Sequence, residues 1–151
     1  MIILLFIDYI EKIAVYFKDL TKDKIVRIYA QYDPDGISSA AILTKSLLRM
    51  NKKFELSFFK QINSKVLSRL KANDKVLVFL DMGSGHLNIL KEIIENNKVF
   101  IIDHHEPIKY VHENLFHINP HLFDEDPENY CTSILSFIFS LKLDKINEEL
   151  V

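Results

Sequence analysis

The run Ile25-Val26-Arg27-Ile28-Tyr29-Ala30-Gln31-Tyr32-Asp33-Pro34-Asp35-Gly36 decides how the rest of the chain is read. Its first part, residues 25–32, is β-branched and apolar, the composition of a buried strand. Asp33 to Gly36 then breaks the run with turn residues. Ala40, Ala41, Leu43, Leu47 and Leu48 supply the apolar positions of a helix over residues 37–50. Strand, acidic turn, helix is one unit of an α/β fold, and the unit recurs downstream. Residues 54–59 read as a second strand, and Asn63 is placed to cap a helix over 64–72. Residues 75–80 and 98–102 are short, nearly continuous apolar runs, as expected of strands buried on both faces, with a helix over 86–96 between them. A short last strand over 114–118 and an apolar helix over 132–143 follow, and 106–130 is the least regular segment. Upstream, Ile3, Leu4, Ile7, Ile10, Ile13, Ala14 and Phe17 recur at helical spacing and predict an amphipathic helix that covers the sheet. The alternation predicts an α/β domain: a mostly parallel sheet with helices on both faces.

Composition agrees with one such domain. The chain has 151 residues, 48% hydrophobic and 26% charged, which argues against disorder and low-complexity linkers. Lys and Arg number 19 against 21 Asp and Glu, a formal charge of -2, so any phosphate ligand must be held locally rather than by a global basic field. The single Cys131 excludes an internal disulfide and any multi-cysteine zinc site, and reads as a buried or half-buried thiol rather than a nucleophile. The apolar start at residues 1–7 is followed at once by Asp8, Glu11 and Lys12, too early for a membrane span of about 20 residues. No positive charge precedes it as in a secretory signal, and the expected setting is cytoplasmic, with no membrane partner.

Acidic clusters stand at the C-terminal ends of three predicted strands: Asp33 and Asp35 after the first, Asp81 after the third, Asp103-His104-His105 after the fourth. In open α/β sheets ligands bind in the crevice beyond those ends. One Asp at a strand end is ordinarily a turn or helix-cap residue. Several on one sheet edge, with imidazoles, form a donor set suited to manganese, iron or zinc, and a cation is the economical way to neutralise them. Gly36 and the Gly83-Ser84-Gly85 turn would let the backbone approach a ligand closely. Ser38 and Ser39 at a helix start would offer hydrogen bonds to a phosphate, and His86 could approach one. His112, His117 and His121 read as surface or turn residues, Lys52-Lys53 as solvated charge, and Phe54, Phe58, Phe59, Phe137 and Phe139 as core.

These motifs, in this order, resemble the DHH phosphoesterase superfamily, most closely its archaeal RecJ-like nucleases. The likeness is carried by residues 29–40, by Phe79-Leu80-Asp81-Met82-Gly83-Ser84-Gly85, by Ile101-Ile102-Asp103-His104-His105-Glu106-Pro107 and by Asn119-Pro120-His121-Leu122-Phe123, and it runs from about Ile25 to Leu143. It implies a two-metal site, usually with manganese and with magnesium as the other candidate, that hydrolyses phosphodiesters at the end of single-stranded DNA or RNA or in short oligonucleotides. By position, Asp33 would bind the first ion, Asp35 and His104 the second, and Asp81 would bridge both. His105 would contact the substrate phosphate or assist the leaving group, and Asp103 would orient the histidine pair.

Two departures accompany the likeness. Gln31 stands where the family's first motif has a metal-binding His, and a neutral amide oxygen should weaken the first site. The family's fourth motif and its C-terminal substrate-binding domain are not found in these residues; Asp124, Asp126 and Asp144 are carboxylates without a supporting motif. The rival reading is therefore a RecJ-like chain that has lost catalysis and serves as a scaffold or subunit in a replication or repair complex, or that takes its second domain in trans. Asp33-x-Asp35 also resembles the opening of haloacid-dehalogenase-type phosphatases, and a receiver domain likewise puts carboxylates at strand ends. Neither explains Asp103-His104-His105.

Overall fold

The computed structural model describes residues 2–70 and 75–149. The elements run α1 (Ile2–Leu20), β1 (Val26–Gln31), α2 (Pro34–Arg49), β2 (Phe54–Phe59), α3 (Ser64–Leu70), β3 (Val76–Leu80), α4 (Leu87–Asn96), β4 (Lys98–Ile102), β5 (Leu115–Ile118) and α5 (Thr132–Leu143). Short 3-10 turns at Ser84–His86, Pro120–Phe123 and Pro127–Asn129 lie in the connections. Ala72, at the expected end of α3, lies outside the described residues. No helix among the described residues is long and apolar enough to cross a membrane.

The five strands form one sheet in the order β2-β1-β3-β4-β5, and every pairing is parallel. Parallel neighbours need crossovers, which here are mostly helical, and strand alternation sends side chains to both faces. Val76, Val78 and Leu80 of β3 join α1, α2 and α5 in one buried cluster. Leu77 and Phe79 of the same strand join α3 and α4 in the other. All of β3 is buried, which is why its sequence is an unbroken apolar run. Phe17 ties the first layer together, with ring centroids 4.9 Å from Phe100 and 5.4 Å from Phe139 in edge-on contacts. Fully burying side chains of this size contributes about 1.5–3 kcal/mol each.

Three local readings are corrected. Helix α2 starts at Pro34, not Ile37, because Asp33 caps it: its Oδ1 accepts from the Gly36 amide at 2.8 Å, and Pro34 fits the first turn. β2 is an edge strand with exposed central positions, so Phe58, at 39% exposure, is not core. His117 is not a surface residue: it lies buried on β5, and its backbone N–H donates to the Tyr9 hydroxyl at 3.2 Å.

Candidate metal centre

The order β2-β1-β3 reverses the direction of winding between β1 and β3, so the connections after those two strands leave on opposite faces of the sheet and a crevice opens between them. The β1–α2 turn delivers Asp33 and Asp35 to this crevice, and the β3 end delivers Asp81. The close approach of α2 to β1 is built on Gly36, where a Cβ would lie 2.2 Å from the Gln31 carbonyl oxygen. Asp81 sits at the strand end with φ of 60°, a left-handed conformation in which Asp is more tolerated than most residues, and it is 1% exposed. Gly83 follows with φ of 113°.

His104 and His105 come from the end of β4. His104 Nε2 lies 3.8 Å from Asp35 Oδ2 and 3.7 Å from Asp81 Oδ1. His105 Nδ1 donates to Asp103 Oδ1 at 2.7 Å and lies 3.9 Å from Asp81 Oδ1. Ligand atoms of Asp81, His104 and His105 all fall within 4.8 Å of one another. Asp103 is the organiser of its own turn: it also accepts from the backbone N–H of His104 at 2.9 Å and of Ser84 at 3.1 Å.

The electrostatics follow from this packing. Burial is the main cause that pushes the Asp81 carboxyl up to about 7; a hydrogen bond from Thr132 opposes it, and the neighbouring charges of Asp35 and Asp33 add to it. The hydrogen bond to Asp103 chiefly raises His105, to about 9, so its imidazolium form is favoured at neutral pH. Burial alone would raise Asp103, but hydrogen bonds from His105 and Ser84 outweigh it and hold that carboxyl below its ordinary range.

A cleft of about 330 Å³ opens beside these groups. Gln31, Lys60, Asp81, Gly83, Gly85, His86 and His105 are among its walls. Two residues expected at a phosphate stand elsewhere. Ser39 is completely buried, because successive helical residues face about 100° apart and the solvent side goes to Ser38. Ser38 itself donates to the Pro34 carbonyl at 2.7 Å. Ser84 is also fully buried, and its hydroxyl is engaged by His117 Nε2 at 2.8 Å and Asn119 Nδ2 at 3.0 Å.

The residues that sequence reasoning missed reach the centre through tertiary contacts. Thr132 donates its hydroxyl to Asp81 Oδ1 at 2.7 Å and its backbone N–H to Asp35 Oδ2 at 2.8 Å. Asn119 also donates to the His105 carbonyl at 2.8 Å, tying the stretch after β5 to the histidine pair. His117 supports this from below, held neutral because burial pushes its pKa down to about 4. Asn119 lies in a quoted motif, but nothing in the local sequence marks Thr132.

Comparison with known proteins adds the following. Residues 25–150 match the family described as "DHH family, N-terminal domain". An uncharacterized protein of Methanocaldococcus jannaschii is 35% identical over 134 residues, which are 82% of this chain and 30% of that protein. The exonuclease RecJ bound to manganese aligns with TM-score 0.74 and 22% identity over 91% of this chain and 37% of its own. RecJ in complex with Mn2+ from Thermus thermophilus gives 0.74 and 23%, over 91% and 21%. CDC45 from Entamoeba histolytica gives 0.69 and 22%, over 92% and 30%. At these identities the solved structures establish a shared fold. The chain spans less than a third of the M. jannaschii relative.

Proposed function

The chain belongs to the DHH family through its N-terminal domain, and on that premise we propose that it is a divalent-metal-dependent phosphoesterase domain of the RecJ-like kind. Its substrates on this reading are phosphodiesters of single-stranded DNA, RNA or short oligonucleotides, in a cytoplasmic setting. One observation carries the proposal: Asp35, Asp81 and His104, from the ends of three separate strands, meet within 3.8 Å of the His104 Nε2 atom.

The donor set fits a hard or borderline cation. A carboxylate as buried as Asp81, crowded by Asp33 and Asp35, is costly to ionise until a cation joins it. Asp35, Asp81 and His104 would hold one ion. Asp33 and Asp81 would hold a second with the half-buried Gln31, whose amide oxygen is the weak member. Manganese is the ion we favour. When bound, the metal supplies Lewis-acid stabilisation of a phosphoryl group and lowers the pKa of water.

The chain's own residues do the rest. His105, fixed by Asp103 through Nδ1, keeps Nε2 for the substrate side of the cleft it lines. There it can give a proton to the departing oxygen as the ester P–O bond breaks, while the water whose oxygen bonds to phosphorus releases a proton to solvent. Lys60, which also lines the cleft, offers a cation to a flanking phosphate. Choice among DNA, RNA and short oligonucleotides would rest with further polypeptide or a partner that meets the cleft.

Gln31 favours a second reading, a RecJ-like subunit of a replication or repair assembly without catalysis of its own. Calorimetric titration of the metal-free chain with manganese, beside Asp81→Asn, separates the two. Uptake that Asp81→Asn abolishes, with manganese-dependent release of nucleotides from single-stranded DNA or RNA, supports the phosphoesterase. A wild-type chain that takes up no ion overturns it in favour of the scaffold.

A further inference from the structure

We infer that Thr132, at the start of α5, is a positioning residue that sets the two carboxylate oxygens of the metal centre. The inference rests on the function proposed above and concerns a residue outside every motif that suggested it. Three hydrogen bonds carry it. The Thr132 backbone N–H donates to Asp35 Oδ2 at 2.8 Å, the Ser133 N–H to Asp35 Oδ1 at 2.8 Å, and the Thr132 hydroxyl to Asp81 Oδ1 at 2.7 Å. They span 97, 98 and 51 residues of sequence.

The first amides of a helix have no acceptor within it. A residue at the cap usually supplies one, but Cys131, at the cap of α5, makes no side-chain cap bond. Asp35 supplies the acceptor from another helix, and the paired contact fixes both its oxygens and the plane of its carboxylate. That alone would be helix capping. The additional fact is which oxygens Thr132 holds. Asp35 Oδ2 and Asp81 Oδ1 are the same two atoms that approach His104 Nε2, at 3.8 and 3.7 Å. One fully buried threonine thus holds the two oxygens that approach the imidazole. A carboxylate oxygen that accepts one hydrogen bond still has a lone pair for a cation. The hydroxyl also fixes the carboxylate of Asp81, whose backbone already holds the left-handed φ of 60°. Groups that orient a metal's ligands in this way commonly change its affinity by about ten- to a hundredfold when removed.

The test compares Thr132→Ala with Thr132→Ser in the whole chain, stripped of metal and titrated with manganese by calorimetry. Both variants lose the γ-methyl and share any packing defect; they differ only in the hydroxyl. Thr132→Ala is expected to bind manganese about tenfold or more weakly, and Thr132→Ser close to wild type. Should Thr132→Ala fail to unfold cooperatively in chelator, Thr132→Val, which keeps the side chain's shape, takes its place against Thr132→Ser. Equal affinity in all variants overturns the inference. So does equal weakening of Ala and Ser, which would assign the effect to packing. A wild-type chain that binds no manganese instead overturns the proposed function on which the inference stands.

Discussion

Asp81→Asn is expected to stabilise the metal-free protein while destroying its capacity for manganese. Asn retains an oxygen to accept the Thr132 hydroxyl and is tolerated at φ of 60°. What it removes is the charge on a residue 1% exposed. Burial, reinforced by Asp35 and Asp33 against the Thr132 hydrogen bond, raises this carboxyl from 3.8 to about 7. At about 1.4 kcal/mol per pH unit, holding the charge in the folded chain costs at most about 4 kcal/mol. The sign follows from the direction of the shift. A carboxyl whose folded pKa exceeds its unfolded value contributes stability that is fully present below about pH 4 and is lost as pH rises to about 7. Wild type should therefore fall behind Asp81→Asn across that window, and the gap should stay constant above it. Urea denaturation in chelator would read this as no difference near pH 4 and an advantage of about 2–4 kcal/mol to the variant near pH 8. Excess manganese should reverse the order, because an ion that binds only folded wild type stabilises it by mass action. A gap that is absent, or the same at both pH values, would refute the claim that Asp81 is held charged at a cost.

Gly36→Ala puts a Cβ 2.2 Å from the Gln31 carbonyl oxygen, and backbone cannot yield as a side-chain tip can; urea denaturation should show a loss of about 3 kcal/mol or more, and an unchanged midpoint would contradict the close approach of α2 to β1. His117, pushed down to about 4 by burial, contributes stability that is present above its unfolded pKa of 6.5 and lost as pH falls from there to about 4. Wild type should lose about 3 kcal/mol over that window relative to His117→Gln, and parallel pH profiles of the two would count against a buried neutral imidazole. Gln31→His, at the cleft wall, should tighten manganese binding about tenfold in the same calorimetric titration; an unaltered affinity would mean that residue 31 does not face the ion.

The parts of the fold that were legible in sequence are those where local pattern and tertiary placement coincide. β3 and β4 lie in the middle of a parallel sheet, so burial on both faces wrote their apolar runs directly into the chain. The acidic clusters could be gathered on one edge because parallel strands present all their C-terminal ends to the same side. Strand order is where pattern stops. Phe58 looks like a core residue by type, and only its place on edge strand β2 exposes it. His117 looks like a surface residue by type, although Phe116 and Ile118 flank it, and it is the packing of β5 against Ser84 and Tyr9 that encloses it. Thr132 is silent for the same reason: a hydroxyl at the start of an apolar helix has no local signature of the carboxylates it holds, 51 and 97 residues away.

Where the chain departs from the rules that make it legible also bears on function. Non-glycine residues with positive φ occur at Asn51, Asp81 and Asp124 among the described residues. Asn51 and Asp124 are exposed residues in turns, where this conformation costs little. Asp81 is enclosed at the end of a central strand, so the same conformation there is combined with a desolvated carboxylate and two acidic neighbours. Gly36, pressed against Gln31, and Gly83, at φ of 113°, flank the same crevice. A fold with an otherwise ordinary core thus concentrates its backbone strain and its unfavourable charge at one place, the mouth between β1 and β3. Such a concentration persists only where the surrounding structure over-determines it. Here Gly36, Thr132 and Asp103 do so by fixing backbone, carboxylates and imidazole respectively. Protonation of Asp81 relieves the charge without moving any of them, and on the function proposed above a cation among Asp35, Asp81 and His104 would relieve it while leaving the carboxylate ionised.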